Sequence, residues 1–393
     1  MGTNFERQLV PEALRRLQGP PLIQILLGPR QVGKTTAARQ IERKWEGPVI
    51  YATADSPLPP QPSWIETHWD RARRAASEAS VLLILDEVQK VEGWSETVKA
   101  LWDADRHAGR RVAVLLLGSS ALLLSRGTSE SLAGRFFVTR CLHWSYAECR
   151  DAFGWDLDRW LFFGGYPGTA PFVNDENTWK QYVTDSLIET VISRDVVATN
   201  KVAKPTLLRH LFVLASRFPS QILSYNKMLG QLQDAGNTTT LSNYVRMLES
   251  AYLLSGLERY SAGQARSRGS SPKLVLWNNA LVTALGTRSF ESSRNDPAYW
   301  GRLVENAVGA HLLNELRSLP YEVTYWRERN DEVDFVVRTP DSVWGLEVKS
   351  GRPDAVQGLE AFRRKYPGAR TMVIGGGGMP LEEFFERSPM VWL

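Results

Sequence analysis

The sequence predicts an α/β protein of several domains, in which a parallel sheet flanked by helices comes first. The length of 393 residues exceeds what one hydrophobic core usually serves, so we expect roughly two to four domains. Short apolar runs alternate with helical patterns in the first part of the chain, which is typical of buried strands joined by crossover helices. The apolar runs cover residues 22–27, 49–52, 81–85, 112–117 and 136–142.

The first domain is expected to end near residue 145, after the fifth predicted strand. Residues 146–215 follow a helical pattern that is interrupted at Gly164–Pro167, because a proline cannot lie inside a helix without breaking it. Residues 216–288 predict a helix over 222–233, a second helix from Thr238, and strands over 252–260 and 273–277. That order is typical of a winged helix-turn-helix.

A last domain is predicted over residues 289–393, introduced by a Ser-, Arg- and Asn-rich linker at 289–297. A helical pattern over 302–316 is followed by alternating residues at 333–338, a turn, and a second strand at 343–349. The two strands are expected to pair as a hairpin. A strand at 371–374, a glycine loop at 375–378 and a short helix complete this α/β domain.

The composition is that of an ordinary globular protein, with 43% hydrophobic and 23% charged residues. No apolar run approaches the roughly 18 residues that a membrane span needs. With no apolar stretch of signal-peptide type at its start and two cysteines, Cys141 and Cys149, the sequence predicts a cytoplasmic protein without a disulfide framework or a zinc site. A net charge of +4 permits a polyanionic partner without requiring one.

The strongest motif follows the first predicted strand and opens a helix. It fits the pattern G-x-x-x-x-G-K-[ST], in which backbone N–H groups and a lysine cradle phosphates at a helix N-terminus. The threonine after the lysine would hold Mg²⁺. The predicted phosphate-binding residues are Gly28, Pro29, Arg30, Gln31, Val32, Gly33, Lys34, Thr35 and Thr36.

Acidic and hydroxyl residues follow two further predicted strands. Asp86 and Glu87 end the third strand, where Asp86 would hold Mg²⁺ and Glu87 would orient and deprotonate the attacking water. An acid pair at a strand end is otherwise often a helix cap. Ser119 or Ser120, after the fourth strand, is expected to hydrogen-bond the γ-phosphate or the water, although serines there are also common turn formers. The sequence therefore predicts binding and hydrolysis of ATP with Mg²⁺.

Arg135 stands just before the fifth predicted strand. A guanidinium there could stabilise the transferring phosphate across a subunit boundary, as an arginine finger does, or it could be a surface arginine. The first alternative requires a homo-oligomer, with a hexamer expected first.

Five segments in this order carry a family resemblance: GPRQVGKTT, LLILDEVQK, LLLGSSA, SLAGR and FFGGYPG. They resemble the AAA+ ATPases of a bacterial and archaeal group in which the ATPase is fused to a C-terminal domain of unknown function. The resemblance implies that Lys34 and Thr35 are Walker A, Asp86 and Glu87 Walker B, and Ser119 or Ser120 sensor 1. It also implies that residues 146–215 form a helical lid, for whose γ-phosphate arginine Arg194 is the better candidate and Arg217 the poorer one.

The winged-helix segment offers groups for nucleic acid. Its second helix presents Asn243 and Arg246 away from the apolar face, and the loop between its strands carries Arg266, Arg268 and Lys273. A basic hairpin beside a helix-turn-helix suits phosphate contact and groove insertion, which predicts DNA as partner. Such segments also serve as packing modules, and three charges in a loop are commonly just solvated.

Four residues of the last domain suggest phosphodiester chemistry. Asp334 and Glu347 could share one Mg²⁺, and Lys349 lies on the same strand face as Glu347 because side chains repeat every two residues. With Glu305 from the preceding helix, the set resembles the PD-(D/E)xK nuclease fold, which implies Glu305, Asp334 and Glu347 as metal ligands and Lys349 as the catalytic lysine. Val333 replaces the proline of that motif. Such domains can also bind DNA without cleaving it.

Together these patterns predict an ATP-dependent, DNA-remodelling or translocating ATPase of helicase or branch-migration type, coupled to a nuclease-like domain that binds or cleaves DNA. A nucleotide-dependent switch, in which that domain only binds a partner, is the alternative from another functional class. An RNA-directed enzyme would use the same residues.

Overall fold

The structure is a computed structural model, and it describes residues 5–76, 80–119, 132–197, 202–232, 236–262, 271–351 and 357–393. The chain divides into two compact units, Met1–Leu142 and His143–Leu393. In the described residues, no helix combines the length and the apolar character that crossing a membrane would take.

The first unit is built on a parallel five-stranded sheet, as predicted. Its strands are ordered β2-β3-β4-β1-β5. Every residue of β3 is buried, which explains why the sequence shows an uninterrupted apolar run there. The strands are β1 (Ile23–Gly28), β2 (Val49–Thr53), β3 (Val81–Asp86), β4 (Val112–Ser119) and β5 (Phe136–Arg140).

The helices of this unit lie between the strands, and an additional helix precedes β1. Buried apolar side chains such as Ile65 and Trp69 from one helix and Val98 from another belong to the same core as the sheet. Because the strands run parallel, their carboxyl ends meet at one edge of the sheet, where the predicted phosphate-binding residues lie. The helices are Leu9–Gln18, Lys34–Lys44, Pro62–Ala75 and Trp94–His107.

The second unit begins with a helical region. The predicted break after residue 163 is confirmed, because the helix Leu157–Phe163 ends at Gly164, which has a left-handed φ of 69°. A Cβ on Gly164 would lie 1.9 Å from the Asn278 Oδ1 atom, so only glycine fits there. The remaining helices are Tyr146–Phe153, Glu176–Gln181 and Pro205–Ser216, with π-helical turns at Tyr182–Ile188 and Val191–Val197.

A small antiparallel sheet follows, ordered β6-β8-β7. Its strands are β6 (Gln221–Ile222), β7 (Leu254–Leu257) and β8 (Lys273–Leu276), and the helices Tyr225–Leu229 and Thr238–Ser250 lie between β6 and β7. The predicted helix over 222–233 was wrong at its start. Ile222 pairs with Lys273 in the sheet, and Ser224 then caps a shorter helix by accepting the Lys227 N–H.

The last part of the chain contains a four-stranded sheet ordered β12-β11-β10-β9, in which only β11 and β12 run parallel. The predicted linker contains a helix, Phe290–Arg294, whose first turn is capped by Ser289. Strand β9 was not predicted. The strands are β9 (Glu322–Glu328), β10 (Asp331–Arg338), β11 (Val343–Lys349) and β12 (Arg370–Gly375), with helices Ala280–Thr283, Pro297–Leu316, Gln357–Lys365 and Leu381–Glu386.

Candidate functional site

The predicted phosphate loop lies between β1 and the helix Lys34–Lys44. Gln31 and Gly33 have left-handed φ angles of 62° and 89°. A Cβ on Gly28 would lie 1.7 Å from the Cys141 carbonyl oxygen, so the first glycine is required by close packing against the neighbouring chain segment. The loop thus has the backbone that a phosphate cradle needs at a helix N-terminus.

Lys34 is held at the mouth of this loop. Its ammonium donates to the carbonyl oxygens of Gly28 and Pro29, at 3.1 and 2.6 Å, and the residue is 8% exposed. A phosphate oxygen carries more negative charge than a carbonyl oxygen and forms the stronger, charge-assisted hydrogen bond with an ammonium. The lysine is therefore placed to transfer from neutral partners to a phosphate.

Thr35 and Asp86 converge, as the two motifs predicted. The Thr35 hydroxyl donates to the Asp86 Oδ2 atom at 3.0 Å. A hydroxyl and a carboxylate are the oxygen ligands that Mg²⁺ accepts beside nucleotide phosphates. The arrangement fits a magnesium ion held by these two residues.

A second hydroxyl reaches the same carboxylate. Tyr51, on β2, donates to Asp86 Oδ2 at 2.7 Å, and the Arg39 guanidinium lies 3.5 Å from the Tyr51 ring centre. Burial, followed by the hydrogen bond to Asp86, raises the pKa of Tyr51, so the phenol stays protonated and remains a donor. Sequence reasoning missed Tyr51, although its place near the carboxyl end of a parallel strand was a usable signal.

Glu87 begins the turn after β3. It has a left-handed φ of 55°, and the Gln89 side-chain amide donates to the Glu87 Oε2 atom at 2.6 Å. A left-handed non-glycine residue is uncommon and costs conformational energy, which is frequent at functional positions. Gln89 was not predicted, and its contact holds the carboxylate that would orient water.

Ser119 is the last residue of β4 and lies opposite Gly28 in the parallel pairing of β4 with β1. Its backbone is therefore beside the first residue of the phosphate loop. The alternative serine, Ser120, lies outside the described residues. The role of Ser119 stays a prediction.

Arg135 pairs within its own unit. Its Nε and Nη2 atoms donate to the two carboxylate oxygens of Asp103, at 2.9 and 3.2 Å. The hydrogen bond from Arg135 lowers the pKa of Asp103. Both side chains are about 30% exposed (30% and 31%), so the pair is accessible to a partner molecule. Action across a subunit boundary stays a prediction.

Behind the loop lies a buried arginine that sequence reasoning missed. Arg7 is 4% exposed; one guanidinium nitrogen donates to the Val32 carbonyl and another to the Leu142 carbonyl at 3.3 Å. The Arg7 backbone N–H donates to Gln40 on the helix that follows the loop. Arg7 thereby ties the loop, its helix and the end of the unit together. No pattern around Arg7 marked this role.

The structure also brings together the acidic residues predicted for the C-terminal domain. Lys349 Nζ lies 2.9 Å from Glu347 Oε1, and the Val348 N–H donates to Asp334 Oδ2 at 2.8 Å. Burial, followed by the charge of Asp334, raises the pKa of Glu347. Glu305 joins this cluster from the helix Pro297–Leu316, and burial raises its pKa to about 7.

Lys273, which the sequence placed in the wing of the winged helix, lies inside this cluster. Lys273 Nζ lies 2.6 Å from Glu305 Oε1 and 3.4 Å from Asp334 Oδ1, and the side chain has 0% exposure. The prediction that Lys273 contacts DNA from the wing was therefore wrong: the apolar strand β8 carries it inward, where carboxylates satisfy its charge. Among the described residues, no three His, Cys, Asp or Glu side chains are grouped to hold a metal ion. The metal-binding roles of Glu305, Asp334 and Glu347 stay predictions.

The remaining residues that were predicted to contact DNA or the γ-phosphate belong to neither of these two clusters. Asn243 and Arg246 are exposed on the helix Thr238–Ser250, as expected from its apolar pattern. Arg194, in a π-helical turn, and Arg217, at the end of a helix, are also exposed, and nothing assigns either to a phosphate. Arg266 and Arg268 lie outside the described residues.

Comparison with known families divides the chain in three. The family model of an AAA domain matches residues 21–150. Two further models match residues 154–293 and 300–387, and both are domains of unknown function (DUF8612 and DUF4143). The predicted domain limits at residues 215 and 288 stay predictions.

Similar proteins carry no assigned activity in their names. An uncharacterized protein of Mycobacterium tuberculosis is 26% identical over 352 residues, which cover 88% of this chain and 74% of that protein. An uncharacterized protein of Haemophilus influenzae is 25% identical over 293 residues, 71% of this chain and 68% of that protein.

Solved structures with similar chains include the Walker-type ATPase of Pyrococcus abyssi, at 13% identity and a TM-score of 0.46, covering 72% of this chain and 95% of that chain. The RuvB Holliday junction branch migration motor of Thermotoga maritima is 15% identical with a TM-score of 0.32, covering 66% and 90%. The family match, on a parallel sheet whose strand ends carry the phosphate loop and the acid pair, identifies residues 21–150 as an AAA-type, nucleotide-binding ATPase domain.

Proposed function

We propose that the protein is an ATP-dependent motor that remodels or translocates DNA, of helicase or branch-migration type. The proposal that the protein binds and hydrolyses ATP rests on the contact between Thr35 and Asp86, which joins the phosphate loop to the end of β3. The two motifs are 51 residues apart, and their convergence is what Mg²⁺-dependent phosphoryl transfer requires.

In this proposal the backbone N–H groups of the loop 28–36, apart from Pro29, which has none, hold the phosphates, and Lys34 contacts the outer ones. Thr35 and Asp86 would hold a magnesium ion, which would neutralise charge on the phosphate oxygens. Glu87, fixed by Gln89, orients the attacking water and accepts its proton. Ser119, beside Gly28, is the proposed partner of the γ-phosphate.

DNA contact is proposed for the second unit. Its order of helix, strand, helix, helix and two strands, with the sheet ordered β6-β8-β7, supports a winged helix-turn-helix. The helix Thr238–Ser250 exposes Asn243 and Arg246, which are a hydrogen-bonding group and a phosphate-binding group. Residues 289–393 are proposed to bind DNA with a nuclease-like fold.

The proposed function does not include cleavage of DNA by the C-terminal domain. Two carboxylates and a lysine suit metal-assisted hydrolysis. Here, however, the Lys273 ammonium contacts two of the three predicted ligands, Glu305 and Asp334.

The test is the rate of ATP hydrolysis measured with single-stranded, duplex and branched DNA and with RNA, while the oligomeric state is recorded. A motor is expected to show DNA-stimulated turnover and a homo-oligomer, with a hexamer expected first. Stimulation by RNA alone would redirect the proposal to RNA. Turnover that no nucleic acid changes would argue against a motor.

Action of Arg135 across a subunit boundary has its own test. Inactive Arg135→Ala subunits are mixed with inactive Lys34→Ala subunits over a range of ratios. Recovery of hydrolysis is expected, because an intact finger and an intact loop would then meet at mixed interfaces. No recovery at any ratio would count against the role.

One observation favours a second candidate, a nucleotide-dependent switch with few turnovers. Arg135 is engaged by both oxygens of Asp103 within its own unit, so the residue that would complete a neighbouring site is already paired. A switch would hydrolyse ATP slowly at every DNA concentration and would bind its partner differently with ATP and ADP.

A further inference from the structure

A buried ammonium stands at the centre of the C-terminal carboxylate cluster. Lys273 belongs to β8, and its Nζ atom lies 2.6 Å from Glu305, 3.4 Å from Asp334 and 3.7 Å from Glu332. Glu305 lies on the helix Pro297–Leu316, whereas Glu332 and Asp334 lie on β10. The contacts therefore tie the three-stranded sheet to the four-stranded sheet within the second unit.

The oxygen atoms that a metal ion would need are largely in use. Asp334 accepts from Lys273 through Oδ1 and from the Val348 N–H through Oδ2. One Glu305 oxygen contacts Lys273, and one Glu347 oxygen contacts Lys349. The second Glu347 oxygen is buried and has no hydrogen-bond partner among the described residues. A dication held by Glu305 and Asp334 would face the Lys273 ammonium at close range, and their repulsion is strong in a buried site.

We propose that Lys273 is the built-in cation of this cluster, in place of a divalent metal ion. Its charge holds Glu305, Glu332 and Asp334 together, so the cluster forms without metal and does not hydrolyse DNA. Lys273 is thus a positioning residue that fixes the two sheets against each other. The inference does not rest on the proposed ATPase function, because every residue of the cluster lies in the second unit.

The matched variants are Lys273→Met and Lys349→Met in the full chain without nucleotide. Both keep a long side chain and remove one charge, but Lys273 is fully buried whereas the Lys349 side chain is 24% exposed. We expect Lys273→Met to lower Tm by roughly 10 °C, since it leaves partly buried carboxylates without their cation, and Lys349→Met to lower it much less. In the double variant Lys273→Met/Glu305→Gln, part of the loss should return because one unpaired charge is gone. Full stability of Lys273→Met, or no recovery in the double variant, would overturn the proposal.

A second measurement needs only folded proteins that retain Lys273. Mn²⁺ binding is measured by electron paramagnetic resonance on the wild type and on Asp334→Asn, and DNA cleavage with Mg²⁺ or Mn²⁺ is compared between the wild type and Lys349→Ala. We expect no saturable Mn²⁺ site that depends on Asp334 and no cleavage that depends on Lys349. A Mn²⁺ site lost in Asp334→Asn, or cleavage lost in Lys349→Ala, would overturn the proposal even if Lys273→Met fails to fold.

Discussion

Lys34 and Lys273 are both buried, and they differ in the partners that they contact. Lys34, in the first unit, contacts two neutral carbonyl oxygens of its own loop. Lys273, in the second unit, contacts carboxylates of three residues and is shielded from solvent. A neutral partner gives up an ammonium readily to a phosphate, whereas a partly buried carboxylate does not. The first arrangement suits ligand binding, and the second suits the joining of two sheets.

Lys34→Ala gives the largest effect we expect on activity. Removing the ammonium that we propose to contact the outer phosphates should lower kcat/KM for ATP by about 10²–10³-fold, as loss of one transition-state donor does. The fold should keep its stability, because the carbonyl partners of Lys34 are uncharged. Steady-state hydrolysis and thermal unfolding measure the two parts.

Lys44→Ala is the matched control, since Lys44 lies at the far end of the same helix and pairs with Glu6. It should leave hydrolysis within about twofold of the wild type, because a surface pair contributes little. An equal loss in both variants would mean that the helix, rather than the Lys34 ammonium, was disturbed.

The pH dependence of stability tests the cluster around Lys273, to which Glu305 belongs. Burial raises the pKa of Glu305 from its ordinary value near 4.5 to about 7. At Glu305 the folded state therefore binds more protons than the unfolded state between these values, so the contribution of Glu305 to stability is fully present below pH 4.5 and is lost as pH rises to about 7. Glu305→Gln should remove roughly 1–3 kcal/mol of this dependence. Urea unfolding at pH 5 and pH 7.5 measures the difference.

The control for this prediction is Glu322→Gln, at a half-exposed carboxylate that pairs with Arg338 on the neighbouring strand. It should leave the pH dependence of unfolding unchanged. If Glu305→Gln and the wild type lose stability in parallel between pH 5 and pH 7.5, the environment of Glu305 is more polar than its contacts indicate.

The first unit was largely predictable because its chemistry is local in sequence. The phosphate loop and the acid pair each follow one apolar run, and parallel strands bring their carboxyl ends to one edge. Tyr51 could have been found by the same rule. Arg7 and Gln89 could not, because a buried arginine behind a loop and an amide in a turn leave no periodic signal.

Lys273 shows why the second unit was harder. Lys273 lies between a glycine-rich loop and an apolar strand, so the sequence permitted either a contact from the wing or a buried position. The carboxylates that hold it in the buried position are 32–61 residues further along the chain. Similarly, Ile222 continued a helical pattern but pairs with Lys273 in a short sheet. Long-range pairing overrode the local preference in both cases.

The partly exposed pair of Arg135 and Asp103 should respond unlike the cluster around the buried Lys273. Asp103→Asn is expected to change Tm by less than about 2 °C, because a solvent-exposed pair stabilises little. If Arg135 acts in trans, its release should raise hydrolysis at protein concentrations that favour assembly, and Asp103→Asn/Arg135→Ala should abolish the increase. Turnover against protein concentration measures this, and an unchanged rate at all concentrations would assign the pair to the surface.

Tyr51→Phe is the smallest change and tests how finely Asp86 is held. The phenol donates to the same Asp86 oxygen as Thr35, at 2.7 Å. Removing this hydroxyl should free the carboxylate for Mg²⁺ and also loosen its position. We expect the Mg²⁺ concentration that gives half-maximal hydrolysis to change about 3–10-fold, which corresponds to the loss of one hydrogen bond. Hydrolysis is measured against Mg²⁺ at fixed ATP, with Tyr182→Phe in the helical region as control. A shift in kcat without any change in Mg²⁺ dependence would place Tyr51 with the nucleotide instead. Because the ring and its contact with Arg39 are kept, the variant separates the hydroxyl from the packing around it.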